Sequence, residues 1–155
     1  MQTASIPTAP EGYHTLNPIL RVPDAAAALA FYRDAFGAVE DFRREADGRL
    51  LVAVILIGDS RLMLWDASND PAKPAGGDPK TGGLELKIYV DDVDAAVRRA
   101  IDLGARAGEP VETQYFGERT GSIVDPFGFS WRLAQFLEQV PHAEIERRMH
   151  EDLGR

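Results

Sequence analysis

A duplication constrains this chain more than any other feature of its sequence. Val22-Pro23-Asp24 opens an alanine-rich stretch, AAAALAFYRDAFGA, that closes on Gly37-Ala38; Val90-Asp91-Asp92 opens a second, VDAAVRRAIDLGA, that closes on Gly104-Ala105. Downstream, Ile57-Gly58-Asp59 stands 35 residues after Val22 and Val124-Asp125-Pro126 stands 34 after Val90, each ahead of a short apolar run. A repeat offset of about 67 residues is too long for the common solenoid periods and marks a module present twice. A copy of that size buries little surface alone, so the halves are expected to complete each other within 155 residues, with function where both contribute.

Hydrophobic periodicity sets the elements of each copy. TLNPILRV, residues 15–22, predicts a strand with Leu16, Pro18, Leu20 and Val22 on one face and Asn17, Ile19 and Arg21 on the other. Pro18 has no N–H for a ladder, which predicts an edge or a bulge there. Asp24 is a good N-cap and Gly37 a left-handed stop, with Ala28, Leu29, Tyr32 and Phe36 as the helix stripe. Strands are expected near 39–43, at 49–57 and at 61–66, the last two joined by Gly58-Asp59-Ser60. The second copy predicts a strand over 84–90, a helix from Asp92 or Asp94 to Leu103, and strands near 110–113, 121–124 and 129–134.

Both copies therefore read β-α-β-β-β, an α+β chain. The expected organisation is an N-terminal arm over 1–12, a first module over 13–66, a linker over 67–83, a second module over 84–136 and a C-terminal helix within 137–155. The linker, ASNDPAKPAGGDPKTGG, is made of turn formers; its glycines lack the strand-to-helix setting and Gly-Lys-Ser/Thr ending of a phosphate cradle. The last helix carries Ile145, Met149 and Leu153 as a narrow stripe that needs a partner surface.

Composition narrows the function classes. A net charge of −8 argues against nucleic-acid binding, which needs a clustered basic face, and suits a small, even cationic, ligand. No apolar run is long enough to span a bilayer and the first residues lack a signal-peptide pattern, so a cytoplasmic protein is expected. Zero cysteines remove disulfides, thiolate metal sites and cysteine nucleophiles. His14, His142 and His150 lie outside the paired strands and are expected at surfaces or interfaces. Trp131 alternates with Phe129 and Leu133 and reads as core, while Asp59 and Asp125 read as turn residues.

FYRDAFGA, IGDSRLMLWD, YVDDVDAAVRRAIDLGA and YFGERTGSIVDPFGFSW in that order resemble the vicinal oxygen chelate superfamily, specifically its glyoxalase/bleomycin-resistance/dioxygenase-like branch. The resemblance implies two tandem βαβββ modules whose sheets curl around a cavity; a homodimer is expected. It also implies that metal-dependent members take ligands from the first and last strand of each module. Carried to this chain, those positions hold Asn17, Glu85, Arg132 and either Met63 or Leu64, and further polar positions read Val52, Val54 and Phe129. A guanidinium has no lone pair for a metal, so a degenerate site with no metal is expected, with a divalent ion as the alternative.

The ligand-binding candidates are Asn17, Arg21, Glu85, Lys87, Tyr89, Tyr115, Arg119 and Arg132, with Glu85 the one catalytic candidate, as a general base. Glu85 and Arg132 could pair in the space a metal would fill. Arg21 and Lys87 could instead cover apolar surface with their stems, and Arg119 could brace the turn before DPFG. Two functions remain open: binding or sequestering a small molecule, as in antibiotic resistance, or a metal-dependent lyase, isomerase, epimerase or dioxygenase.

Overall fold

Helix stops and strand alternation place the elements of each copy. The computed structural model describes residues 7–69, 75 and 83–154, so residues 1–6 of the arm and most of the segment read as a linker lie outside the described residues. The chain divides into two compact units, Met1–Gly76 and Gly77–Arg155.

In the first unit β1 (Ile19–Val22), α1 (Ala25–Phe36), β2 (Val39–Ala46), β3 (Arg49–Ile57) and β4 (Ser60–Asp66) form a sheet in the order β1-β4-β3-β2 under one helix. β1 is parallel to β4 and the other pairs are antiparallel. Asp24 accepts from the Ala27 amide at 3.0 Å, and Gly37, at φ 70°, turns its N–H back to Arg33. Between these caps Ala25, Ala28, Leu29, Phe31, Tyr32 and Ala35 are buried. Phe31 is buried where Phe36 was expected, and Phe36 is half-buried. The sheet answers with Leu20, Val22, Ala53, Ile55, Leu62 and Leu64, all buried. Burial of each large side chain here contributes about 1.5–3 kcal/mol.

β1 begins at Ile19 and not at Thr15. Pro18 offers only its carbonyl, which accepts from the Met63 amide at 3.1 Å, and the chain before it leaves the ladder.

The second unit holds β5 (Glu85–Tyr89), α2 (Val93–Asp102), β6 (Arg106–Ala107), β7 (Glu112–Thr113), β8 (Glu118–Val124), β9 (Ser130–Phe136) and α3 (His142–Leu153). Its sheet runs β5-β9-β8-β6, with β7 also on β8 and β5 parallel to β9. Asp92, rather than Asp94, caps α2 through the Ala95 amide at 3.0 Å. The strand expected near 110–113 is two short pieces, β6 and β7, and β8 starts three residues before the expected Gly121. That earlier start follows from a tight turn, in which the Gln114 amide bonds the Glu118 carbonyl at 2.7 Å. Gly117 makes the turn possible: its φ is 90°, and a Cβ there would stand 2.3 Å from the Glu138 carbonyl oxygen.

The repeat also preserves how each helix is docked. The Ala25 amide bonds the Asp66 carboxylate at the end of β4 (3.0 Å), and the Val93 amide bonds the Gln135 side chain near the end of β9 (3.1 Å). Among the described residues no helix is long and apolar enough to cross a membrane.

Candidate functional site

Alternation on β5 sends Leu86 and Ile88 towards α2, and Glu85, Lys87 and Tyr89 to the opposite, open face of the second sheet. On that face Lys87 is the register partner of Arg132, and Arg132 of Ser122. The Arg132 Nε donates to Glu85 Oε1 at 2.6 Å, its Nη2 lies 2.8 Å from Glu109 Oε2, and the Ser130 hydroxyl reaches Glu85 Oε2 at 3.2 Å. Bonding to Glu85 raises the high pKa of Arg132 further, against the opposing pull of burial.

The early start of β8 puts Glu118 on this same face, 8% exposed. Lys87 Nζ donates to its Oε2 at 2.5 Å and the Tyr89 hydroxyl to its Oε1 at 2.7 Å. The ammonium also lies 4.9 Å from the Tyr89 ring centre and 5.9 Å from that of Phe116. Burial pushes the Glu118 carboxyl up, but the bonds from Lys87 and Tyr89 outweigh it and hold the group below its ordinary value. Burial likewise pulls Lys87 down, and Glu118 more than reverses it. Glu118 lies outside the strand expected near 121–124. The polar period of two in Glu118, Thr120 and Ser122 is the signal that could have found it.

Arg119, one residue on, points the other way. It grips Asp94 in the first turn of α2 with two bonds of 2.8 and 2.9 Å and touches Thr113 Oγ1 at 3.3 Å. The structure therefore sets Arg119 apart from Lys87, Tyr89 and Arg132, on the helix side of the sheet. Tyr115 stacks edge-on against Phe116 at 5.3 Å, and its carbonyl accepts from Arg148 of α3. Trp131, 4% exposed, faces the core and donates to the Asp125 carboxylate at 2.9 Å. Beyond the end of β5, Tyr89, Val90, Asp91, Gln135 and Phe136 line an open depression of about 460 Å³.

In the first unit the open face holds Arg21, Trp65, Val52 and Arg44 in one register row, and Ile19, Met63, Val54 and Phe42 in the next. This parity resolves the last-strand position in favour of Met63, because Leu64 is buried towards α1. The Arg21 guanidinium lies 5.6 Å from the Trp65 ring centre, and its Nη1 is buried without a hydrogen-bond partner among the described residues. Asn17 precedes β1 and closes a local turn: its Oδ1 accepts from the His14 amide at 3.2 Å, and its Nδ2 donates to the His14 carbonyl at 2.6 Å.

These residues do not fit a divalent metal. Glu85 gives both oxygens to Arg132 and Ser130, the Asn17 oxygen is taken by its own turn, and Arg132 is a fixed cation without a free lone pair. Among the described residues no three His, Cys, Asp or Glu side chains are grouped as a ligand set.

The sequence profile of the Glyoxalase/Bleomycin resistance protein/Dioxygenase superfamily matches residues 13–133. Uncharacterized protein Rv0887c of Mycobacterium tuberculosis is 40% identical over 141 residues, covering 86% of this chain and 81% of that protein. The solved structure of the Arabidopsis thaliana gene product At5g48480 superposes with a TM-score of 0.64 at 27% identity, over 79% of this chain and 98% of that one. A glyoxalase-related enzyme from Fulvimarina pelagi gives 0.62 at 22% identity, over 79% and 88%.

Proposed function

The chain belongs to the Glyoxalase/Bleomycin resistance protein/Dioxygenase superfamily, and from that premise we propose that it binds a small organic molecule on its open sheet faces without a metal ion. The observation that carries this reading is the Glu85–Arg132 ion pair at 2.6 Å, which joins two positions that the resemblance gives to metal ligands. A dication there would meet a permanent positive charge and displace a charge-assisted bond. The same pair argues against Glu85 as a general base, since both its oxygens already accept hydrogen bonds. Sequestration, of an antibiotic among other ligands, is the role that asks least of such a site.

The protein is further proposed to work as a cytoplasmic homodimer. The support for pairing is the sheet edge at β2, which is exposed along its whole length and carries Val39 and Phe42. Sedimentation across a range of concentrations tests it, with a monomer throughout as the refuting result.

Elemental analysis of protein purified without chelators, followed by a thermal-shift screen of small molecules in EDTA, tests the binding reading. Metal well below one equivalent, together with ligands that raise the melting temperature in EDTA, is the expected outcome. A stoichiometric transition metal, or stabilisation that EDTA abolishes, overturns it.

A further inference from the structure

On the open face of the second unit Arg132 and Lys87 are paired with carboxylates. Glu85 and Glu109 meet Arg132, and Glu118 meets Lys87. The open face of the first unit differs in part: Arg61 on it pairs with Asp41, but neither Arg21 nor Arg44 forms an ion pair among the described residues. Arg21 Nη1 is out of water, with nothing among them to donate to. An unsatisfied buried donor costs about 1–3 kcal/mol, and more when it belongs to a charged group, so it calls for an explanation.

The surroundings suggest one. Arg21 lies over the Trp65 ring, which is 37% exposed, and the neighbouring register positions are Ile19, Met63, Val52 and Val54. A guanidinium beside an aromatic ring and aliphatic side chains, with Arg44 three strands away at the far end of its row, matches a monoanionic group attached to an apolar body. A phosphate dianion would need further donors, and a cation would meet uncompensated positive charge. Resting on the binding reading above, we infer that this face takes a small organic acid, its carboxylate on Arg21 and its apolar body against Trp65. The acidity of the chain as a whole, −8, is therefore a poor guide to the ligand.

Phenylacetate, its neutral isostere phenylacetamide and the cation benzylamine are suitable probes, titrated against the full chain by ligand-detected NMR. Phenylacetate should bind about tenfold tighter than the amide, a difference of one decade in Kd. Arg21→Gln should bring the two to parity, and Arg21→Lys, which keeps the charge but loses the fork, should fall between. The comparison of acid and amide on the unaltered protein holds whether or not a variant folds. Equal affinity for acid and amide, or a preference that survives Arg21→Gln in a folded protein, overturns the assignment. Tighter binding of benzylamine overturns it too, while the wider binding reading stands. Saturation by none of the three also overturns it, and the thermal-shift screen on the same preparation then decides separately whether the protein binds small molecules at all.

Discussion

Lys87→Met removes the ammonium beside Glu118 while leaving an apolar stem against Tyr89 and Phe116. Glu118 is 8% exposed, so the substitution strands a nearly buried carboxylate with the Tyr89 hydroxyl as its remaining side-chain donor. Breaking a fully buried pair costs about 3–5 kcal/mol and breaking an exposed one about 0–1. Lys87 is 38% exposed, which places this pair between those limits, and a loss of about 2 kcal/mol is expected near pH 7. The pH dependence distinguishes this cause from lost packing. In the unaltered protein Glu118 has a folded pKa below its unfolded one, so its contribution is complete above the unfolded pKa and is lost as pH falls through the folded one. Without Lys87, burial dominates, the folded pKa moves above the unfolded one, and acid favours the folded form. The gap between the two proteins should therefore close between about pH 7 and about pH 4, and Lys87→Met with Glu118→Gln should recover at least half of the loss. Urea unfolding followed by far-ultraviolet circular dichroism measures all three proteins at both pH values. A deficit that is the same at both, or a double variant no better than the single, refutes the electrostatic argument.

Gly117→Ala combines a left-handed φ of 90° with a Cβ 2.3 Å from the Glu138 carbonyl oxygen and 2.7 Å from Val140 Cγ2. A loss of at least about 2 kcal/mol is expected in the same urea assay, and a loss under about 0.5 would mean the turn relaxes freely. Arg119→Met frees Asp94 and should speed hydrogen exchange at the amides of the first turn of α2, while leaving phenylacetate affinity within about twofold. Weakened binding with unchanged exchange would place Arg119 with the ligand instead.

The readable parts of this fold are those governed by local chemistry. Asp24 and Gly37 announce their helix ends, the start of α2 is narrowed to Asp92 or Asp94, and the alternation of β5 and the apolar run of β3 define those strands within a residue. What sequence spacing could not supply is where β1 and β8 begin, because both starts depend on hydrogen bonds to distant chain. β1 is cut short where Pro18 meets Met63, and β8 is extended because Gly117 lies against residues 137–140, its carbonyl accepting from the Leu137 and Glu138 amides. Strand parity turns such a shift into a change of chemistry, since each added residue alternates between the faces. This is why Asn17 closes a turn, why Arg119 braces a helix, and why Glu118 sits against Lys87 and Tyr89.

The same parity separates what the duplication has kept from what it has let go. Asp66 and Gln135 hold the first amides of their helices in both copies, so the docking geometry has been retained. Arg21 and Tyr89, 68 residues apart on equivalent strands, have diverged: Tyr89 closes a satisfied network with Glu118, while Arg21 Nη1 stays buried without a partner among the described residues. A position that bears an unsatisfied charge in one copy and a satisfied polar group in the other is not required by the architecture the copies share. Its cost is therefore best explained by an acceptor from outside the chain, which makes Arg21 the residue on which the binding reading can be tested most directly.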